Sequence, residues 1–248
     1  MMKVIRVFLS LSALAFLVSC TDDPFDDAGS QSRIFIHVIN AYANADAVDI
    51  SITAFNNEQK IASNLSIGSS WPQSGYASLL TDPNAVGTDT SSQDVGGLLI
   101  QVDDHNTGTR LIEPEFLAMR PNTRSTLVLL DSAGLPILVK AFDSYSQIST
   151  EDPNVRFMNL NNFTRSVSLV PDNSAPRINS LNFLNYSRFF QYPEQQYTFF
   201  VEDDFTGEVL DTIPDVILEP GKRYNFFLTH KEGTPLAGFA VLNLEEDE

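Results

Sequence analysis

Two stretches of the sequence, VDDHNTGTRLIEPEFLAMRPNTRSTLVLLDSAGLP at residues 102–136 and VEDDFTGEVLDTIPDVILEPGKRYNFFLTHKEGTP at residues 201–235, align without a gap. Ten of the 35 aligned positions are identical, and Gly or Pro occupies four of those ten. Gly and Pro specify turns, so their coincidence indicates that the same turns recur in the same order. Self-similarity over this length is typical of one structural unit that occurs twice.

The repeat extends upstream of these two stretches. Residues 36–51 align with residues 155–170 and share two identities, Asn40 with Asn159 and Val48 with Val167. The join falls within residues 145–153. The alignment therefore predicts a first unit over residues 33–146 and a second over residues 154–248.

Each unit consists of short runs rich in β-branched and aromatic residues, separated by turn signals at regular intervals. Gly108 and Gly207 lie at the tips of predicted hairpins, and Pro220-Gly221 has the order of a type II turn. No stretch has sustained helical periodicity. About 100 residues per unit, with many short strands, predict an all-β chain of two tandem antiparallel β-sandwich domains of immunoglobulin-like type.

The first 19 residues have the features of a bacterial signal peptide. Lys3 and Arg6 precede an apolar run over residues 7–18, and the tetrapeptide LVSC resembles a lipobox that ends at Cys20. The alternative is a membrane-spanning helix, but about a dozen apolar residues fall short of the roughly 20 that a span needs. We therefore expect cleavage after residue 19 and a lipid anchor on Cys20.

Residues 20–32 follow as a polar tether without apolar periodicity. Thr21 stands where enteric inner-membrane lipoproteins often carry Asp, which favours the outer membrane. The acidic residues in the tether resemble the surface-export signals of Bacteroidetes lipoproteins, although an ordinary solvated tether has the same composition. The predicted location is the cell envelope, on the periplasmic side or at the cell surface.

Composition excludes several classes of function. The formal net charge is −17, which repels nucleic acid phosphates. Cys20 is the only cysteine, so a lipid-modified chain has neither a disulfide nor a catalytic thiol. The three histidines, His37, His105 and His230, do not align with one another across the repeat, and the usual transition-metal ligand spacings do not occur.

Several motifs resemble those of domain-of-unknown-function family 4397. They are the strand AVDISI at residues 47–52, the segment SNLSIG at residues 63–68 followed by Tyr76, and the GKRY strand at residues 221–224. The resemblance covers nearly all of residues 33–244. It implies an exported protein, often a lipoprotein, with an immunoglobulin-like sandwich and no agreed activity. The second unit departs from the motif, because Ser168 replaces Asp49 and Leu184 replaces Gly68.

Carboxylates recur in the hairpins of both units. Asp103 and Asp104 in the first unit, and Asp203 and Asp204 in the second, offer the oxygen ligands that Ca²⁺ prefers. Calcium takes six to eight oxygens, and each hairpin supplies only part of such a set. The alternatives are weak calcium binding and solvated acidic turns. No other cofactor is expected.

Seven aromatic residues occur in the fifteen residues from 186 to 200, YSRFFQYPEQQYTFF. Alternation along a strand places Tyr197 and Phe199 on one face, which is typical of a core. Most of these rings are expected in a core, and Phe189, Phe190 and Tyr192 are the ones that could instead be exposed. Exposed aromatic residues mark binding surfaces. Trp71, in the loop-like segment SSWPQSGY, is a second candidate of this kind.

Taken together, these features predict a non-enzymatic envelope lipoprotein that binds a protein or a glycan and is held at the membrane by its lipid anchor. One alternative is an envelope enzyme, or an enzyme accessory, with a carboxylate site that sequence does not reveal. Another is a structural spacer. The polar insertion at residues 81–96 is either a tolerated surface loop or a binding loop.

Overall fold

The computed structural model describes residues 33–54, 57–72, 76–80, 96–119, 123–143, 151–231 and 233–243. Within these ranges every regular element longer than a turn is a β-strand, and no helix is long and apolar enough to span a membrane. The predicted signal peptide, Cys20 and the tether lie outside the described residues, as do residues 81–95 of the insertion.

Residues 33–143 form the first sandwich. Its inner sheet has the order β4-β1-β8-β9, with β5 also paired to β1, and its outer sheet has the order β3-β2-β6-β7. The strands are β1 (Arg33–Asn40), β2 (Ala47–Ala54), β3 (Asn57–Ser66), β4 (Ser70–Trp71), β5 (Ala77–Leu80), β6 (Gly96–Asp104), β7 (Arg110–Met119), β8 (Arg124–Ser132) and β9 (Leu135–Phe142).

Residues 151–243 form the second sandwich. Its inner sheet has the order β13-β10-β16-β17, and its outer sheet has the order β12-β11-β14-β15. The strands are β10 (Asn154–Asn159), β11 (Ser166–Pro171), β12 (Ile178–Asn182), β13 (Phe190–Gln191), β14 (Gln196–Asp203), β15 (Val209–Ile217), β16 (Lys222–Lys231) and β17 (Thr234–Asn243).

The two sandwiches repeat the same strand pairing. Phe35 of β1 lies opposite Arg124 of β8, and the aligned residues Asn154 of β10 and Arg223 of β16 lie opposite each other in the second sandwich. The predicted all-β chain of two tandem sandwiches is confirmed. Both of these pairs run parallel, unlike the antiparallel sheets that the sequence predicted. A parallel pair cannot be closed by a hairpin, and here the outer sheet supplies the crossover.

Apolar side chains fill three layers between the sheets. Alternate residues of β1, Ile34, Ile36 and Val38, face the first core, between the inner and outer sheets of the first sandwich. An aromatic-rich core that includes Phe199 and Phe226 fills the second sandwich. A third core lies between the two inner sheets and contains Ile39, Val128, Leu130, Met158, Leu160 and Phe227.

The third core explains why the inner strands have no solvent face. Every residue of β10 is buried, and so are the central residues of β8 and β16. Gly238 contributes to the close packing, because a Cβ atom there would lie 2.9 Å from Cζ of Phe227. Each inner sheet is therefore covered on one side by its own outer sheet and on the other by the inner sheet of the other repeat.

Candidate functional site

The hairpin carboxylates stabilise the turns in which they lie. Asp104 accepts hydrogen bonds from the backbone N–H groups of Thr107 (2.7 Å) and Asn106 (3.0 Å). The aligned Asp203 accepts from the backbone of Thr206 and Phe205, both at 2.9 Å. These bonds favour the ionised carboxylate and lower the pKa of both aspartates.

The other two aspartates of the predicted calcium sites are bonded to other side chains. Asp103 Oδ1 lies 2.5 Å from Nε of Arg110, and Asp204 accepts from Ser166 Oγ (2.6 Å) and from Ser168. Across the described residues, no three His, Cys, Asp or Glu side chains come together as a metal-binding group. The fold leaves the four aspartates in two separate hairpins, so calcium binding at these turns stays a prediction.

The replacement of Asp49 by Ser168 across the repeat has a structural counterpart. His105 Nδ1 lies 2.7 Å from Asp49 Oδ1, and the aligned residues of the second sandwich, Asp204 and Ser168, are also hydrogen-bonded. The carboxylate stands on the strand in the first sandwich and on the turn in the second. The hydrogen bond between the two positions is present in both sandwiches.

Asp49 is the most strongly bonded carboxylate of the first outer sheet. Burial raises its pKa, but hydrogen bonds from Lys60 (2.6 Å), Asn64 N (2.9 Å), His105 and Ser63 outweigh burial, so the pKa lies well below its usual range. Three aspartates of the described residues, Asp49, Asp104 and Asp203, thus have a pKa shifted downward. A carboxyl group that acts as a general acid needs the opposite shift.

Tyr192 is buried, so for this ring the exposed alternative is wrong and the core alternative is right. Only 1% of the residue is exposed, and the ring packs edge-on against Tyr197 and Phe199 at centroid distances of 5.8 and 5.9 Å. Its hydroxyl donates to the carbonyl of Pro176. Tyr192 directly follows β13 and packs into the second core, against which Phe190 also packs, and the satisfied hydroxyl allows the large ring to be buried.

Phe189 and Phe190 are half-buried. They lie in a segment that runs along β10 on the side opposite β16. Phe190 pairs with Val155, Ser187 N donates to the carbonyl of Phe157 (2.9 Å), and Tyr186 forms an isolated bridge to Met158. These backbone contacts fix the segment against the inner sheet of the second sandwich.

We term the partly exposed segment 186–190, which carries Tyr186, Arg188, Phe189 and Phe190, the aromatic shelf; within it Phe190 also packs against the second core. Tyr186 is 37% exposed, and the guanidinium of Arg188, itself exposed, lies 5.1 Å from the centre of the Phe190 ring. Sequence reasoning identified Phe189 and Phe190 but missed Tyr186. Its position in the same aromatic run was the only available signal.

Two buried arginines support the shelf from beneath. Cζ of Arg156 lies 4.5 Å from the ring centre of Phe189 and 5.7 Å from that of Tyr186. Cζ of Arg223 lies 5.5 Å from the Phe189 ring. A cation over an aromatic face is attractive, and more so where water is excluded, so these contacts hold the rings in place.

The arginines belong to a polar network that joins the two sandwiches. Arg156 Nη1 lies 2.5 Å from Asp143 Oδ1, and both side chains are almost completely buried. Tyr76 OH donates to Asp143 Oδ2 (2.8 Å) and accepts from Arg223 Nη1 (2.8 Å). Asp143 and Tyr76 come from the first sandwich and the arginines from the second, so the network bridges the repeat. No sequence pattern predicted this network.

His37 lies in the same buried region. It is fully buried, and burial is the main reason why its pKa falls to about 4; Arg156 and Arg223 lower the pKa further, whereas Asp143 opposes the shift. Its edge-to-face contact with the Tyr76 ring has a centroid distance of 6.2 Å. At neutral pH His37 is therefore uncharged in the folded chain.

Trp71 lies apart from the shelf. It pairs with Val38 as part of β4, is half-buried, and packs against the first core. No contact recorded between described residues joins it to Phe189 or Phe190. Its role in binding stays a prediction.

Comparison with known proteins assigns no family to the chain. No protein family matches the chain, and no curated protein does. The resemblance to family 4397 accordingly stays a prediction.

Several solved structures align along most of the chain. A family 26 carbohydrate-binding module from Eubacterium rectale, solved with maltoheptaose, is 13% identical, covers 83% of this chain and 95% of its own, and has a TM-score of 0.27. A candidate cell adhesion protein from Bacteroides ovatus is 11% identical, with 88% and 100% coverage and a TM-score of 0.25. The fimbrial anchor protein Mfa2 from Porphyromonas gingivalis is 9% identical, with 84% and 97% coverage and a TM-score of 0.21.

Proposed function

We propose that this protein is a non-enzymatic, lipid-anchored protein of the cell envelope that binds a partner protein or a glycan through the aromatic shelf. The observation that carries the proposal is that Tyr186, Phe189 and Phe190 lie partly exposed, on a segment fixed by backbone pairing and by two buried arginines. Rings held in this way lose little conformational entropy when a ligand stacks on them.

The anchor and the envelope location rest on the LVSC sequence and the residues before it. The anchor would hold the protein at the membrane, and the tether would give the sandwiches freedom to reach a partner. Arg188 adds a local positive charge in a chain whose net charge is −17. An acidic or neutral partner is thus favoured at the shelf over a cationic one.

The enzyme alternative has less support than binding. The carboxylates of Asp49, Asp104 and Asp203 are held in their ionised form by hydrogen bonds. A spacer would need no exposed rings, and the shelf favours binding over that alternative.

The test is cross-linking in living cells of the tagged full chain, followed by mass spectrometry, together with a glycan array probed with the detergent-solubilised protein. Tyr186→Ala removes a central ring of the shelf, and we expect it to reduce capture about tenfold, as for a typical interface hot spot. Phe205→Ala is the matched control, because Phe205 is an aromatic residue 71% exposed at a hairpin tip of the same sandwich.

Equal capture by the wild type and by Tyr186→Ala would contradict the proposal. A Cys20→Ser form separates the role of the anchor from that of the shelf, since it should still bind glycans on the array while losing partners that are captured only at the membrane.

A further inference from the structure

Each sandwich has an open side, where an edge strand of its outer sheet lies beside an edge strand of its inner sheet. These strands are β7 and β9 in the first sandwich, and β15 and β17 in the second. Edge strands present unpaired backbone groups and can pair with another chain unless they are protected. The two open sides occupy aligned positions of the repeat, but they differ in protection.

A lysine protects the open side of the first sandwich. Lys140 of β9 extends its amine to the carbonyl oxygen of Ala118 in β7, at 2.5 Å, and the amine also lies 4.9 Å from the ring centre of Phe142. The side chain thus bridges the two edge strands. Lysine on an edge strand is a common device against pairing with other chains, because an added strand would bury its charge.

The second open side has no lysine at the aligned position, although Asp211 of β15 contacts the backbone of β17 at Ala237. Phe239 of β17 stands at the position aligned with Lys140, and Ile217 of β15 stands at the position aligned with Ala118. Ile217 is 60% exposed. The whole of β17, TPLAGFAVLN, has no charged side chain. A long uncharged edge strand is the kind that accepts a further strand.

Backbone groups of β17 point toward this open side. Ala237 N donates to Asp211 Oδ2 of β15 at 2.7 Å, so it points away from β16. Alternate residues of an antiparallel strand direct their N–H and C=O groups to the same side, so Phe239 and Val241 also direct theirs away from β16. Among the described strands, none pairs with β17 there.

A groove runs beside these backbone groups. It has a volume of about 400 Å³ and combines an apolar floor with a charged rim. A second cleft, of about 310 Å³, lies along the same two strands and shares Phe239 with the groove. The floor of the groove is formed by Val216, Ile217, Tyr224, Phe239 and Val241, and the rim by Asp215, Glu219 and Lys222.

We propose that β17 accepts an added β-strand from a basic partner protein. An extended segment would pair with the outward backbone groups of Phe239 and Val241 and place alternate apolar side chains in the groove. The rim carries two carboxylates against one amine, and Lys222 is already paired with Glu219 at 2.8 Å. With a net charge of −17 on the chain, charge complementarity selects a basic segment.

The charge also argues against a second copy of this chain as the occupant. Two molecules that each carry a net charge of −17 repel each other as they approach. This inference concerns a different surface from the aromatic shelf, so a partner strand at β17 and a ligand at the shelf can be tested separately.

The probe is a fluorescent ten-residue peptide of alternating valine and lysine, titrated against the detergent-solubilised full chain at physiological salt. We expect saturable binding, together with slower hydrogen exchange at the amides of Phe239 and Val241. Phe239→Lys recreates the protection found in the first sandwich, and Ile217→Lys places the same charge on the exposed side of the groove. Each should weaken binding about tenfold or more.

The matched control is Leu135→Lys, which adds an identical charge at a site 67% exposed in the first sandwich. It should leave the affinity within about twofold, since surface charges act weakly beyond a Debye length of about 8 Å. A peptide N-methylated along its pairing edge tests the backbone bonds, and a valine–glutamate peptide tests the charge. Both should bind at least about tenfold more weakly.

Three results would overturn the proposal. The first is no binding, or unchanged exchange at Phe239 and Val241. The second is an equal loss of affinity in Leu135→Lys and Ile217→Lys, which would mean that the peptide senses only overall charge. The third is a concentration-dependent dimer that protects the same amides, which would assign the edge to a second copy.

Ile217→Lys keeps the test valid if Phe239→Lys fails to fold. Tyr186→Ala should not affect peptide binding if the shelf is separate.

Discussion

At the scale of single residues, the buried charges are the least expected feature of this protein. Arg156 and Arg223 are each 1% exposed, and the buried carboxylate of Asp143 is hydrogen-bonded to Arg156 and to Tyr76. Removing charges from water is costly, and only good geometry with further hydrogen bonds compensates for it. The ring of Phe189 over both guanidiniums adds a favourable term.

We expect Arg156→Met to reduce the free energy of unfolding by about 3–5 kcal/mol, because it leaves Asp143 buried without its cation. Adding Asp143→Asn should recover part of this loss, since an asparagine can still accept from Tyr76 and Thr126. Urea unfolding of the two single variants and the double variant checks the coupling. Arg177→Met is the control, because Arg177 pairs with Glu202 at the surface and its loss should cost less than about 1 kcal/mol. Additive effects of Arg156→Met and Asp143→Asn would contradict the expectation.

The titration of His37 predicts a dependence of stability on pH. Its pKa is about 4 in the folded chain and 6.5 in the reference state. Between these values the unfolded chain binds more protons, so the free energy of unfolding falls as the pH decreases from about 6.5 toward 4. The contribution of this one residue is on the order of 3 kcal/mol across that window. Unfolding of the wild type and of His37→Gln at pH 7 and pH 4.5 measures it, and parallel losses in the two proteins would show that His37 is not the source.

At the scale of strands and turns, the two sandwiches form the same strand-to-turn contact with different residues. The strand position held by Asp49 and the turn position held by His105 are bonded in the first sandwich, as are Ser168 and Asp204 in the second. The aspartate can occupy either the strand position or the turn position. In both arrangements one residue donates the hydrogen bond and the aspartate accepts it.

The equivalence of the two contacts can be tested by introducing the residues of the second sandwich into the first. Asp49→Ser alone should destabilise the first sandwich by about 1 kcal/mol or more, since the N–H of Asn64 and the side chain of His105 lose their acceptor. Adding His105→Asp recreates the Ser168–Asp204 arrangement and should restore part of the loss. Thermal unfolding of the single and double variants provides the measurement. A double variant less stable than Asp49→Ser would mean that the two sites are not equivalent.

At the scale of the whole molecule, the third core decides how the two repeats behave together. Val128 and Leu130 of the first inner sheet pack with Met158 and Phe227 of the second, and the Arg156–Asp143 pair continues the contact in polar form. An apolar interface of this kind couples the stability of the units that it joins.

We therefore expect the two sandwiches to unfold in one transition. Trp71, the only tryptophan, reports on the first sandwich by fluorescence, and hydrogen exchange of the β14 and β16 amides reports on the second. The two denaturant midpoints should coincide in the wild type. Val128→Ser, which places a hydroxyl in the third core, should separate them, whereas Thr198→Ser, at a half-buried position of β14 outside the third core, should not. Distinct wild-type midpoints would mean that the interface is too weak to couple the sandwiches.

The sequence by itself determined the repeat, the strands and most of the turns. These depend on local chemistry: β-branched and aromatic runs favour strands, and Gly108, Gly207 and Gly221 adopt the positive φ that their turns require. The strand pairing of residues 102–136 recurs at the aligned positions of residues 201–235, as the shared Gly and Pro residues indicated.

Only the tertiary structure decided which side chains are exposed. Alternation along a strand separates two faces but does not say whether both are covered, so the sequence could not show that His37 and Arg156 lie buried between two inner sheets. It left Tyr192 open to exposure and did not single out Tyr186, whereas the fold packs the Tyr192 ring against Tyr197 and Phe199 and leaves Tyr186 37% exposed. The open side of β17 likewise depends on Phe239 standing where the first sandwich has Lys140, at an edge that only folding defines.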